Sequence, residues 1–129
     1  MPVPLYQAKA ELFKTLGHPV RIRVLELLCE EPRPVRDLLA AIEVEASNLS
    51  QQLAVLRRAG IVTARREGGT VMYELAGGDV SELMRAARRI LTELLTGQGE
   101  LLAELKADRP RRAAAGRSAR PGPADRDPA

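Results

Sequence analysis

Apolar residues recur at helical spacing along most of the chain, and the breaks in that spacing mark its organisation. Over residues 5–16, Leu5, Ala8, Leu12, Phe13 and Leu16 share one stripe and Gly17 follows, which predicts a helix closed by a glycine. Pro19 stands where a proline opens a helix, and Val20–Glu30 carries Leu25, Leu28 and Cys29 on one face. After Glu31-Pro32-Arg33, Pro34 starts a brief third helix, Val35–Ile42, with Val35, Leu38, Leu39 and Ile42 turned inward. The tight link Glu43-Val44-Glu45-Ala46 leads to a fourth helix. Ser47 is its candidate N-cap, Leu49, Leu53 and Leu56 are its apolar positions, and Gly60 ends it.

At Gly60 the period changes. Residues 61–67 and 70–75 alternate about Gly68-Gly69, with Thr63, Arg65 and Glu67 on one side and Val62, Ala64 and Arg66 on the other. A two-stranded ribbon with one wet face has this pattern. Asp79 with Glu82 three residues on reads as a capping pair for a long last helix. Its stripe runs from Val80, Leu83, Met84 and Ala87 through Ile90, Leu91, Leu94 and Leu95. It resumes at Leu101, Leu102 and Leu105, past Gly97 and Gly99, which weaken the middle. From Asp108 the chain is Arg, Ala, Pro, Gly and Asp without period, as a disordered segment is. The expected organisation is one domain over residues 1–107, followed by a basic Arg/Ala/Pro-rich tail over residues 108–129.

Composition narrows what such a domain does. Aromatic residues make up 2% of the chain, only Tyr6, Phe13 and Tyr73. Aliphatic side chains must therefore fill the core, and single-strand recognition by base stacking has no platforms to use. The net charge of +3 sits in the tail, where six arginines face three aspartates; residues 1–107 carry fourteen charges of each sign. Any nucleic-acid surface on the body must come from local clustering. A single cysteine, Cys29, excludes an internal disulfide framework. With no apolar run near the ~20 residues of a membrane span, the expected location is the cytoplasm.

A short helix, a tight link, a second helix ended by glycine, a hairpin and a long helix form the plan of a winged helix-turn-helix. The expected fold is thus mainly α with a small β-hairpin wing (α+β), and its expected ligand is double-stranded DNA. The second helix of the pair fits the major groove while the hairpin reaches the backbone beside it. Ser47, Asn48, Ser50, Gln51 and Gln52 are the candidate base readers, being amide and hydroxyl side chains that match base edges. Arg57 and Arg58 at the helix end, with Arg65, Arg66 and Thr70 in the wing, are the candidate phosphate contacts. An enzyme is excluded at this level, because one His and one Cys without a nucleophile signature, a phosphate loop or a metal cluster leave nothing to run a reaction. A winged helix that binds protein is the rival reading.

These residues also carry a resemblance. The runs His18-Pro-Val-Arg21-Ile-Arg-Val-Leu25-Glu-Leu-Leu28, Leu49-Ser-Gln-Gln-Leu-Ala-Val-Leu56-Arg-Arg-Ala-Gly60-Ile-Val and Arg65-Arg-Glu-Gly68 with Tyr73 resemble the ArsR/SmtB family over about residues 8–95. The resemblance implies a homodimeric repressor, paired through its first and last helices, that releases DNA when an effector binds. Leu5, Leu12, Val80, Leu83, Ala87, Leu91 and Leu94 are then the expected dimer interface. Family members often have Ser-His-His-Leu where this chain has Ser50-Gln51-Gln52-Leu53, which keeps hydrogen-bonding capacity without a pH dependence.

The family's metal sites do not carry over. Where one site has two cysteines before the Asp-Leu of the third helix, this chain has Pro34 and Arg36 before Asp37-Leu38; neither holds a soft metal. A second site falls on Gly77, Asp79, Ile90 and Glu93, two carboxylates without an imidazole. His18 reads as structural and Cys29 as a buried small hydrophobe. No metal or other cofactor is expected; a DNA-binding regulator whose signal is sensed by a separate partner protein is the alternative to direct sensing.

Overall fold

Local chemistry opens and closes the helices. His18, in extended conformation, caps α2 (Pro19–Glu30): its Nδ1 accepts from the Val20 N–H at 3.1 Å, and Pro19 needs no partner at the first helical position. The structural role expected for the single histidine is this cap. In the computed structural model, residues 2–107 are described; the expected tail, 108–129, lies outside them. The order is α1 (Leu5–Leu16), α2, β1 (Arg33–Pro34), α3 (Val35–Ala41), α4 (Ala46–Arg58), β2 (Val62–Glu67), β3 (Thr70–Leu75) and α5 (Asp79–Ala107). Two compact units make up the chain, one ending at Met84 and one beginning at Arg85.

The core of the first unit comes from α2, α3 and α4. Val24, Leu25, Leu28, Leu38, Leu49, Leu53 and Leu56 are all but sealed from solvent, with Ile61 and Val62 where the chain enters the sheet. Val20, Val35, Leu39, Tyr73, Val80, Leu83 and Met84 pack around them. Cys29 is half-buried rather than sealed as expected, because Leu27 and Leu28 take the inward direction at that turn.

The sheet is antiparallel in the order β1-β3-β2. Its hairpin is in the expected register, from Val62 opposite Leu75 to Glu67 opposite Thr70. Gly68 and Gly69 have φ of 54° and 85°, both positive, the type I′ geometry that a two-residue hairpin loop demands. β1 is an addition to the expected ribbon: Arg33 and Pro34 pair with Tyr73 and Met72. A two-residue edge strand containing proline leaves no period in sequence, and its partner lies about forty residues away.

Two helix starts differ from expectation. α4 begins at Ala46 after an extended Glu45 with no side-chain cap, so Ser47 lies in the first turn and is not the N-cap. α5 begins at Asp79, and the Gly78 carbonyl accepts its first helical bond from the Glu82 N–H at 3.3 Å. Gly78 therefore occupies the cap position, and Asp79 and Glu82 act as first-turn acids at the positive end of the helix dipole. α5 then runs through Gly97 and Gly99 without a break.

Candidate nucleic-acid interface

α4 divides cleanly into two faces. Leu49, Gln52, Leu53 and Leu56 are buried. Opposite them Ser47, Gln51, Ala54 and Arg58 follow at spacings of four, seven and eleven residues, one stripe of a 3.6-residue helix. Asn48 and Ser50 stand on its two shoulders. The helix stops sharply: the Gly60 N–H bonds the Arg57 carbonyl at 2.9 Å and the Ile61 N–H bonds the Leu56 carbonyl at 3.0 Å. This is the Schellman arrangement, with Gly60 at φ 78° and Ile61 buried beside Leu56. It turns the chain directly from α4 into the wing, while Arg57 and Arg58 stay exposed in the last turn.

Gln52 is a correction. Expected as an exposed base reader, it is 8% exposed, the one buried polar side chain among the described residues. Arg21 of α2 donates through Nε to Gln52 Oε1 at 2.8 Å and through Nη1 to the Thr15 carbonyl at 2.7 Å. Gln52 Nε2 in turn donates to Asn48 Oδ1 at 2.9 Å. The amide turns inward because its position, three after Leu49 and four before Leu56, falls on the apolar stripe. That spacing is visible in sequence and is the signal that finds it. Arg21 and Thr15 leave no such signal, since Arg21 meets Gln52 across 31 residues of chain.

In the wing, Thr63, Arg65 and Glu67 are exposed as the alternation requires. Arg65 lies between two carboxylates, Glu67 at 3.0 Å and Glu74 at 3.2 Å. Arg66 points to the other face of the ribbon near its tip, where Nη1 reaches the Gly69 carbonyl at 3.4 Å; Thr70, half-buried, starts β3 beside it.

The expected dimer residues fall into two groups. Val80 and Leu83 are half-buried against the core of their own unit. Leu5, Leu12, Leu91 and Leu94 are 41–70% exposed, and Ala87 is half-buried. Pro34 and Arg36 lie in β1 and α3, and Asp79 and Glu93 are exposed on α5. Among the described residues no three His, Cys, Asp or Glu side chains converge on a point that could hold a metal ion, and no helix is long and apolar enough to cross a membrane.

A helix pair whose second member presents a polar, arginine-ended face, followed by a glycine-tipped hairpin, defines a winged helix-turn-helix DNA-binding domain. Residues 18–64 match the family described as bacterial regulatory protein, arsR family. An uncharacterised HTH-type transcriptional regulator of Mycobacterium tuberculosis, Rv0081, is 52% identical over 105 residues, covering 81% of this chain and 92% of the relative. Its crystal structure superposes with a TM-score of 0.70 at 53% identity, over 75% of this chain and 98% of that one. A biofilm growth-associated repressor of Agrobacterium fabrum is 38% identical, covering 67% of this chain and 77% of the relative. The solution structure of a homodimeric winged helix-turn-helix DNA-binding domain, Mb0332 of Mycobacterium bovis, matches with a TM-score of 0.64 at 32% identity, over 70% of this chain and 84% of that one. The chain belongs to the arsR family of bacterial regulatory proteins. It is a DNA-binding transcriptional regulator, and the family is one of regulators, not enzymes.

Proposed function

We propose that the chain is a cytoplasmic homodimeric repressor that blocks a promoter by laying α4 in the major groove of an operator duplex. The observation that carries this reading is the stripe of exposed Ser47, Gln51 and Arg58 with half-buried Ala54 on α4, flanked by Asn48 and Ser50, on a helix whose opposite face is sealed in the core. Ser47, Asn48, Ser50 and Gln51 read base edges; Arg57, Arg58, Arg66 and Thr70 meet phosphates. Arg65 does so only by exchanging Glu67 and Glu74 for a phosphate. Gln52 is left out of the reading set, because its amide is spent inside the protein.

Dimerisation is supported by apolar surface that is exposed among the described residues. Leu5 and Leu12 on α1, and Leu91 and Leu94 on α5, are exposed large hydrophobic side chains, and extended apolar faces of this kind mark interaction surfaces. We assign each face, with Ala87, to contact with a second copy; Val80 and Leu83 stiffen the start of α5 from within. The winged helix-turn-helix domain of Mb0332 from Mycobacterium bovis is homodimeric, in agreement with this assignment.

The test is titration of a labelled duplex from the gene's own upstream region at two salt concentrations, with a scrambled duplex as control. Tight, sequence-selective binding that weakens steeply with salt is expected, as phosphate neutralisation releases counterions. A dimer that binds no duplex would overturn the reading in favour of a winged helix that binds protein.

A further inference from the structure

The polar chain that enters α4 from the end of α1 has a direction, set by donor chemistry. A guanidinium carries donors and no acceptor. Arg21, anchored on the Thr15 carbonyl, therefore engages the oxygen of the Gln52 amide. Gln52 is left with its NH2 group toward Asn48, and donates to Oδ1. Asn48 lies one turn before Gln52, on the same side of the helix but half-buried, at the boundary of the exposed stripe. Its oxygen is engaged inward, so its own NH2 group is the free end. An unconstrained asparagine can turn either end of its amide to a base, and pairs with adenine by using both. One held by its oxygen presents donors.

We propose that Arg21 and Gln52 are positioning residues for Asn48: the chain Thr15–Arg21–Gln52–Asn48 holds the Asn48 amide with its NH2 outward, so that it reads a hydrogen-bond acceptor, the N7 of a purine, on the major-groove edge of the operator. This rests on the proposal that α4 enters the major groove. The arrangement spends a buried amide and a partly buried arginine on a single exposed side chain. It also makes the aim of Asn48 depend on the last turn of α1, where Thr15 sits.

The test uses the full-length protein and a duplex that it selects from a random-sequence pool, with a scrambled duplex as reference. Replacing one purine at a time by its 7-deaza analogue removes N7 and little else. One position in each half-site is expected at which the analogue weakens wild-type binding about tenfold and weakens Asn48→Ala no further. Gln52→Glu retains size and a partner for Arg21 but turns only acceptors toward Asn48. The asparagine must then donate inward and face its oxygen outward, so the 7-deaza penalty at that position disappears.

Gln52→Met added to Asn48→Ala should lower the selected-to-scrambled ratio no more than Asn48→Ala alone, whereas a purely structural glutamine would change the melting temperature and leave the ratio intact. If Gln52→Met fails to fold, Arg21→Met releases the same amide from the other side and should likewise lower the ratio only where Asn48 is present. Additive effects of Gln52 and Asn48, or a set of 7-deaza penalties indifferent to Asn48, would overturn the proposal. A wild-type protein that selects no duplex would instead overturn the placement of α4 and this inference with it, and that outcome appears before any variant is made.

Discussion

α4 and the part of α5 beyond Met84 carry the same kind of apolar stripe and meet opposite fates. In α4, Leu49, Leu53 and Leu56 are at most 2% exposed. In α5, Ile90, Leu91, Leu94 and Leu95 are 55–63% exposed. Both stripes have the three-and-four spacing of an amphipathic helix, so periodicity establishes that a face is apolar without saying what covers it. α4 is covered by α2 and by the chain entering the sheet. The later stripe of α5 is exposed among the described residues, and the dimer proposal follows from that difference.

The largest expected effect tests the closed side. Leu53→Ala should cost about 2–5 kcal/mol of unfolding free energy in urea, because a sealed leucine leaves a cavity behind. Leu91→Ala, measured at concentrations low enough to keep chains apart, should change stability by less than about 0.5 kcal/mol. Equal costs at the two sites would mean that the α5 face is not open. At higher concentration Leu91→Glu should yield monomers by sedimentation, since a carboxylate on each copy cannot be desolvated in an apolar contact. A dimer that survives it moves the interface elsewhere.

Smaller effects sharpen the reading side. Gly60→Ala should cost about 1–2 kcal/mol: a Cβ there meets no atom within 4 Å, so the penalty is that of the left-handed backbone alone. A thermal melt indistinguishable from wild type would remove the Schellman turn from the account of how α4 joins the wing. Smallest is the contrast within the wing. Arg66→Ala should weaken binding to all duplexes alike and reduce the salt slope by about 1, while Arg65→Ala should do less, its charge already being met by Glu67 and Glu74. The reverse order would show that Arg65 leaves its carboxylates on binding.

Much of the fold was legible because its signals are local. His18-Pro19 opens a helix, Gly60 closes one through a backbone conformation that favours glycine, and Gly68-Gly69 closes a hairpin in the register its alternation requires. Where local signals competed, neighbours decided. Ser47 offers a cap, yet the helix starts two residues earlier than that cap implies, at Ala46 after an extended Glu45. Of the candidate site, the exposed polar stripe and the terminal arginines are readable from helical spacing, while the chemistry of Gln52 suggests the exposed face and its spacing the buried one, where it lies.

The succession of helices, the glycine-tipped wing, the apolar stripes and the polar residues available to DNA are written in the amino-acid order, because each rests on interactions spanning a few residues. Folding in three dimensions is what makes Arg33 and Pro34 a third strand, sets Arg65 between two carboxylates and has Gln52 join Arg21 to Asn48. The third strand and the Gln52 link depend on which groups meet across 31 to about forty residues of chain, and in the half-buried polar chain the available partner sets the direction of the amide; the Arg65 pairs follow from the cross-strand register of the hairpin.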